Sequence, residues 1–380
     1  MSNINTILVT GVTGNIGSHV LFELLFDLYS KKEEARIYVL IRKQRHISAQ
    51  ERLLNEVFSK QLIPEKIVPF YKEYIDKYVE VIEGEIHNFI LPEKAGNTIT
   101  VYHLAASVNL SNTEKAKHEI AHVNYHHTQA FFDTIKCRTK KLVFVSTAFS
   151  RGEIEGAIEE DYHSATTYNF RNFYEAYKMK IEKLVLQIAK ENNFSCTIAR
   201  PSIVSGRLID FPKFVSSRYI VFYAVGEFFN KIKKSHSNIG TIRLALNIEG
   251  GLNIVPVDYV AKGIIRAADI KEEQLNITLT QNVPTQYIAT SILKKCGINI
   301  ELVPEEPEDK STIEKLFYKT IGSQLLKYSM SKNHYFESKL IRKLLSNIEE
   351  PNMKEHFQEI YDFAHNINFN NANIKLEANL

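Results

Sequence analysis

The segment ILVTGVTGNIGSHV, residues 7–20, decides the fold. An apolar run, ILVT, leads into Gly11, Gly14 and Gly17 and then into an amphipathic stretch over 17–31. Strand, glycine turn and helix in that order make a βα unit. The first glycine permits a tight turn, the second lets a backbone approach a pyrophosphate, and the third lets helix and strand pack closely. The helix start offers unbonded N–H groups and a partial positive charge to phosphate. The spacing is GxxGxxG, not the GxGxxG fingerprint, so the turn is either a dinucleotide cradle or a tight βα turn with no ligand. The strand before and the helix after favour the cradle.

Outward from this turn, β-rich runs at Arg36–Ile41, Tyr78–Ile82, Thr100–His103, Lys141–Val145 and Cys196–Ala199 alternate with helical stretches such as 113–136. That alternation predicts an α/β fold: a Rossmann-like, doubly wound parallel sheet with a smaller C-terminal substrate lobe. Runs without in/out alternation, such as LVFV, suit strands buried on both faces. After Pro201 the pattern loosens. Residues 207–250 are rich in Phe, Tyr and Lys and show no clear strand. The expected organisation is a Rossmann-like NADP-binding domain over 1–206, with core elements returning at about 252–285. Residues 207–251 and 286–380 are then the substrate lobe, lid and helical C-terminal region. The last dozen residues read as frayed, and EEPED at 305–309 as a solvated linker.

Composition bounds the function classes. Of 380 residues, 44% are hydrophobic and 24% charged, which excludes dominant disorder. Lys+Arg of 47 against Asp+Glu of 44 gives no global reason to expect nucleic acid. Three separated cysteines, Cys137, Cys196 and Cys296, argue against a disulfide framework and a Cys-based zinc site. No stretch approaches a membrane span, and the N-terminus lacks a leader pattern, so a cytoplasmic protein is expected.

The second strand ends in VLIRKQRH. An acid at this strand end would hold ribose hydroxyls; here Arg42 stands instead, followed by Lys43, Arg45 and, further on, Arg52. Such cations suit a 2′-phosphate, so NADP(H) is expected over NAD. Solvated surface cations are the plainer alternative.

Tyr174 and Lys178 in NFYEAYKMKIEKLV stand at i and i+4, one turn apart on a helix face. The ammonium should lower the phenol's pKa and let it serve as a general acid. Chance pairs of this kind are common among 19 tyrosines; Tyr177 is a decoy, with Ile181 four residues on. Upstream, KLVFVSTAFSRG ends a strand in Ser146 and Thr147, where a hydroxyl either binds a reacting oxygen or caps the strand end.

These pieces together resemble an extended short-chain dehydrogenase/reductase. TGVTGNIG, YHLAAS at 102–107, Asn124, STAFSRG, the Tyr174/Lys178 pair, ARPSIVSG at 199–206 and VPVDYVAKGI at 255–264 fall in the family's order. The resemblance implies a catalytic set of Thr147, Tyr174 and Lys178, the threonine slot being fixed by counting back from Gly152. It implies that Gly11, Thr13, Gly14, Asn15, Ile16 and Gly17 hold the cofactor. Arg42, Lys43 and Arg52 would serve the 2′-phosphate. Glu85 and Ile86 would lie near the adenine. Leu104, Ala105 and Ala106, with Pro201, Ser202 and Ile203, would line the cofactor beside Tyr174 and Lys178.

The long passage from the second strand to the third, with its ERLLNEVF helix, resembles the thioester-reductase and fatty acyl-CoA reductase branch. So do STA and VPVDYVAKGI; the tail at 327–345 resembles it faintly. The branch implies NADPH-dependent reduction of an acyl thioester, on coenzyme A or an acyl-carrier protein, to aldehyde or onward to alcohol. The other readings are a sugar-nucleotide epimerase or dehydratase, a hydroxysteroid-type dehydrogenase, or a non-catalytic NADP(H)-binding sensor. A monomer or homodimer is expected. Phe211, Phe214, Tyr219, Phe222, Tyr223, Phe228 and Phe229 either line an acyl tunnel or pack the lobe's own core. Lys231, Lys233 and Lys234 meet coenzyme A phosphates or an acidic carrier, or are a solvated face. His118 and His122 have helical spacing but no third ligand, so no metal is expected.

Overall fold

The computed structural model describes residues 5–160, 169–236 and 238–374. Seven strands form one sheet: β1 (Asn5–Thr10), β2 (Ala35–Ile41), β3 (Val79–Glu83), β4 (Ile99–His103), β5 (Thr139–Val145), β6 (Ser195–Pro201) and β7 (Gln274–Ile277). Their order is β7-β6-β5-β4-β1-β2-β3, and every neighbouring pair is parallel. The winding direction reverses between β1 and β4. In such sheets the ligand crevice lies there, beyond the carboxyl ends of the strands.

Side chains alternate across the sheet and fill two cores. Ile7, Val9 and Val39 face one side, where they join Leu21 and Leu25 of α1 (Asn15–Lys31). Leu8, Leu40, Val101 and Leu142 face the other, with Phe131, Phe132 and the residues Ile181 and Val185 of α2 (Phe173–Glu191). Both faces are covered, which is why the strand sequences read as unbroken apolar runs. On the first face α1 packs against α3 (Val257–Arg266).

The expected helix over 113–136 is present but not uniform. Glu114–Ile120 and His127–Ile135 are α-helical and Ala121–His126 is a π-turn. The π-turn holds Asn124 inside, where its amide donates to the Ser107 carbonyl at 2.8 Å and accepts from the Ser107 N–H at 2.7 Å. Asn124 thereby fixes the chain leaving β4.

The lobe differs from expectation in two respects. Residues 207–250 do contain a strand, Ile242–Ala245, which pairs in parallel with Ile300–Val303. Its four residues buried Ile, Leu and Ala around a single Arg, too short a pattern to stand out from polar flanks. The tail is also less frayed than its composition suggests. Asn371 donates to the Ser216 carbonyl at 2.8 Å and accepts from the Tyr219 hydroxyl at 2.7 Å; residues 375–380 lie outside the described residues. Elsewhere His334–Phe336 pairs with Gly156–Ile158, joining the C-terminal region to the chain after β5.

Candidate active site

The first glycine turn is built as a cradle. Gly11 has φ +75°, and a Cβ there would stand 2.7 Å from the Ala105 N. At Gly17 a Cβ would collide with the Gly11 carbonyl. Only hydrogen fits at either place, so backbone approaches backbone across the crevice. The Gly14 N–H closes the turn on the Gly11 carbonyl at 2.9 Å. No side chain caps α1 and its first turn holds no acid. The N–H groups of Asn15, Ile16 and Gly17 are the ones a helix start leaves unpaired, and they suit an anionic pyrophosphate. Thr10 Oγ1 accepts from the Leu104 and Ala105 N–H groups at 3.2 and 3.3 Å, locking β1 to the chain after β4.

The other expected cofactor contacts fall on the same edge of the sheet. Arg42 and Lys43 follow β2, Glu85 and Ile86 follow β3, Leu104–Ala106 follow β4, and Pro201–Ile203 end β6. Arg42 and Lys43 are exposed and form no ion pair among the described residues. Arg52 is different. It is 6% exposed, its fork is filled by both Glu56 oxygens at 2.7 Å, and it donates to the Arg42 carbonyl at 2.8 Å. It braces the strand end on which Arg42 stands. Glu85 pairs with Asn88 through its backbone and is exposed, whereas Ile86 is half-buried against the second core.

Thr147 leaves β5 as the cap of a short helical turn, its Oγ1 accepting from the Phe149 N–H at 3.3 Å. That bond uses an acceptor site and leaves the hydroxyl proton available. Lys178, 3% exposed, reaches from α2 to the Val145 carbonyl at 3.0 Å, two residues before Thr147. Its Nζ lies 5.9 Å from the centre of the Tyr174 ring. Ser150 donates to Glu182 at 2.7 Å, a second tie between the turn after Thr147 and α2. The three expected catalytic residues therefore occupy two elements that are bonded together at the crevice. Ser146, beside them, is buried, and its Oγ has no partner among the described residues.

The electrostatics depart from expectation. Burial pushes the Tyr174 phenol up, and the neighbouring Glu175 carboxylate adds to this. The expected lowering by Lys178 is not seen: desolvation of the phenolate decides the direction. Burial also brings Lys178 down to about 8, against a smaller opposing effect of Glu182. His103, in the crevice at the end of β4, is held down to about 3 by burial. It is a neutral partner of Thr10 at 3.1 Å, not an acid.

Sequence reasoning missed the residues that hold the start of α2. Asn172 caps the helix, and its amide donates to the Tyr328 hydroxyl at 2.8 Å. Tyr328 in turn donates to Glu175 at 2.7 Å. Its ring meets Phe149, two residues after Thr147, edge-on at 5.5 Å. Tyr328 thus touches both arms of the site from more than 150 residues away. The only sequence signal was the faint family likeness of the tail at 327–345. Ser217 was also missed: its N–H donates to Asn15 Oδ1 at 2.9 Å, joining the lobe to the glycine turn.

Other candidates have plainer roles. Tyr223 and Phe229 are wholly buried and Phe211 is exposed, so packing accounts for the first two. Lys231 pairs with Glu227 and Lys234 bonds Asn368 on a solvated face. His122 meets His127, not His118, at 3.2 Å, and no metal-ligating cluster occurs among the described residues. No helix among them is long and apolar enough to cross a membrane.

The profile of an NAD-binding family, the male sterility proteins, matches residues 9–264, the span holding the glycine turn, Thr147, Tyr174 and Lys178. The chain belongs to this family. The male sterility domain carries the extended short-chain dehydrogenase/reductase fold expected from its sequence. It is 29% identical over 187 residues to an alcohol-forming fatty acyl-CoA reductase of Simmondsia chinensis, covering 43% of this chain. The chain spans 35% of that relative's length. Among solved structures it resembles the terminal R domain of the myxalamid PKS-NRPS biosynthetic pathway, with TM-score 0.67 and 20% identity over 96% of this chain and 92% of that one. It resembles MoeE5 in complex with UDP-glucose and NAD at TM-score 0.63 and 14% identity, covering 95% and 99%. UDP-glucuronic acid 4-epimerase of Bacillus cereus in complex with NAD gives 0.61 and 17%, covering 95% and 97%. At these identities the structures share its fold.

Proposed function

We propose that this male sterility domain reduces an acyl thioester, carried on coenzyme A or an acyl-carrier protein, to the aldehyde with NADPH. What supports this is that the matched family span contains the bonded pair of elements bearing Thr147, Tyr174 and Lys178, together with the likeness to a fatty acyl-CoA reductase. The uncapped start of α1 and the glycines with no room for a Cβ fit a dinucleotide pyrophosphate. Arg42 and Lys43 meet the 2′-phosphate. When bound, the reduced dinucleotide supplies a hydride to the carbonyl carbon.

The chain's own residues manage the oxygen. Thr147 and Tyr174 hydrogen-bond the thioester carbonyl and hold it more strongly as negative charge grows. Tyr174, kept protonated by its burial, gives that oxygen its proton, and the Lys178 ammonium stabilises the phenolate left behind. The hemithioacetal then breaks its C–S bond to release aldehyde and free thiol. The division into a cofactor-binding part, 1–206 with 252–285, and a substrate lobe belongs to the same proposal, as does action in the cytoplasm.

The test is a panel of acyl-CoA and acyl-carrier thioesters with NADPH, the aldehyde being trapped and identified by mass. Turnover of a UDP-sugar with retained NAD, and none of a thioester, would replace this function by an epimerase. Tyr174→Phe should lower kcat by roughly 10²–10⁴-fold, the usual worth of a general acid, with NADPH affinity near wild type.

A further inference from the structure

Thr10 ends β1 and His103 ends β4, the two strands between which the winding reverses. They are register partners, and each follows Leu8 or Val101 onto the same face of the sheet. Their contact, Thr10 Oγ1 to His103 Nδ1 at 3.1 Å, joins the two lips of the crevice. The hydrogens can be placed by counting. A hydroxyl has one proton and two acceptor sites. The Leu104 and Ala105 N–H groups fill both acceptor sites of Thr10 Oγ1. The proton that remains goes to Nδ1, which must therefore be bare. The imidazole hydrogen then sits on Nε2, 3.4 Å from Thr128 Oγ1 on the helix His127–Ile135. One ring thus ties β1, β4 and that helix. It is 1% exposed, and the ring centres of Phe131, Phe132 and Phe144 lie 4.5, 6.0 and 5.7 Å away. Burial in such a wall disfavours a second proton, and so does the Lys178 cation.

The tie sits where the cradle is tight. Gly11 follows Thr10, and a Cβ on it would stand 2.7 Å from the Ala105 N and 2.8 Å from the Leu104 carbonyl carbon. The same two residues bond Thr10 through their N–H groups. The hydroxyl that His103 orients therefore holds 104–105 against the glycine turn. The other tautomer would bring a third donor to an oxygen with two acceptor sites, and one N–H bond would be lost. Both N–H groups are also withdrawn from any ligand, so Leu104 and Ala105 can offer a dinucleotide only carbonyls and side chains.

We propose that His103 is a positioning residue of the cofactor cradle: as the Nε2–H tautomer it turns the Thr10 hydroxyl, and the hydroxyl holds the chain after β4 against the glycine turn. The proposal rests on the dinucleotide reading of that turn and not on the thioester reaction.

NMR of the full chain with isotope-labelled histidine nitrogens reads the tautomer, the His103 signals being those lost in His103→Asn. A protonated Nε2 and a bare Nδ1, unchanged from pH 5 to pH 8, are expected. The reverse tautomer, or titration within that range, overturns the assignment, whatever the variants do. Fluorescence titration with NADH and NADPH reads the cradle. His103→Phe keeps a ring but leaves the Thr10 hydroxyl without its acceptor, and it should weaken both dinucleotides about tenfold. His103→Asn, whose side-chain carbonyl can take the place of Nδ1, should recover most of that loss. Thr10→Val should cost about as much as His103→Phe, and the double variant no more than either alone, because both break one tie. Two unrelated structural defects would add instead. Additive losses, or His103→Asn as weak as His103→Phe, overturn the clamp. A wild type that binds neither dinucleotide removes the cradle reading itself, and the clamp with it.

Discussion

At the scale of single residues, the role proposed for Lys178 predicts the pH range of the proposed reduction. Its ordinary pKa of 10.5 is brought to about 8 by burial, so it is cationic below pH 8 and neutral above. In the proposed mechanism the cation is what stabilises the Tyr174 phenolate. The rate of reduction should therefore fall as pH rises through about 8, with kcat/KM dropping about tenfold per unit beyond it. A pH–rate profile flat from 7 to 10 would remove Lys178 from this role. Arg42 carries the proposed preference for NADPH. It stands exposed at the β2 end with no acid to pair it among the described residues, so Arg42→Ala should weaken NADPH about tenfold and leave NADH nearly unchanged, as loss of one charge-assisted bond to phosphate predicts. Fluorescence titration with both cofactors reads the difference; equal weakening of the two would mean that Arg42 shapes the strand end without touching a 2′-phosphate.

At the scale of elements, the sheet was readable because its central strands have no exposed face. ILV, IYVLI and LVFV are unbroken runs of aliphatic and aromatic residues, and their neighbours in space are helices with a regular stripe. The glycine turn was readable for a steric reason, since Gly11 and Gly17 admit no side chain. The strand Ile242–Ala245 was hidden because four residues with one partner strand carry too little pattern. Tyr328 was hidden because its bonds to Asn172 and Glu175 join residues far apart in sequence, and no local period records them. Arg52 shows the same limit from the other side: its cationic character was legible, but its Glu56 partner and buried position belong to packing. Tyr328 gives the prediction proper to this scale. Tyr328→Phe keeps the ring but strips a donor from buried Glu175 and an acceptor from Asn172. Stability should fall by about 1–3 kcal/mol, the cost of leaving buried polar groups unpaired, read by urea unfolding. Because those bonds seat the start of α2, kcat should fall while NADPH affinity holds. A variant with wild-type stability would show that Glu175 finds water instead.

At the scale of the whole molecule, the sheet and the lobe are clasped by four charges. Lys66 lies 2.5 Å from Glu23 and 2.9 Å from Asp210; Lys262 lies 2.7 and 3.0 Å from the same two carboxylates. Glu23 belongs to α1, Lys262 to α3, Lys66 to the passage from β2 to β3, and Asp210 to the chain entering the lobe. Burial raises Glu23 despite both ammoniums. It also pulls Asp210 upward, but there Lys262 and Lys66 prevail and hold the carboxyl at about 2. Lys262→Met leaves two largely buried carboxylates sharing one ammonium. The expected loss is about 3 kcal/mol near pH 8, the low end for breaking a buried pair, since the side chains remain 9–18% exposed. The sign with pH follows from Glu23. Without Lys262 its folded pKa rises further above 4.5, so the folded variant takes up a proton more readily than the unfolded chain does. Its deficit is full above that raised pKa and shrinks as pH falls toward 4.5. Urea unfolding of wild type and variant at pH 8 and pH 5.5 should show the gap narrowing, and Glu23→Gln added to Lys262→Met should recover part of it at pH 8. A gap of equal size at both pH values would mean that the lysine stem's packing, and not its charge, holds the lobe against the sheet.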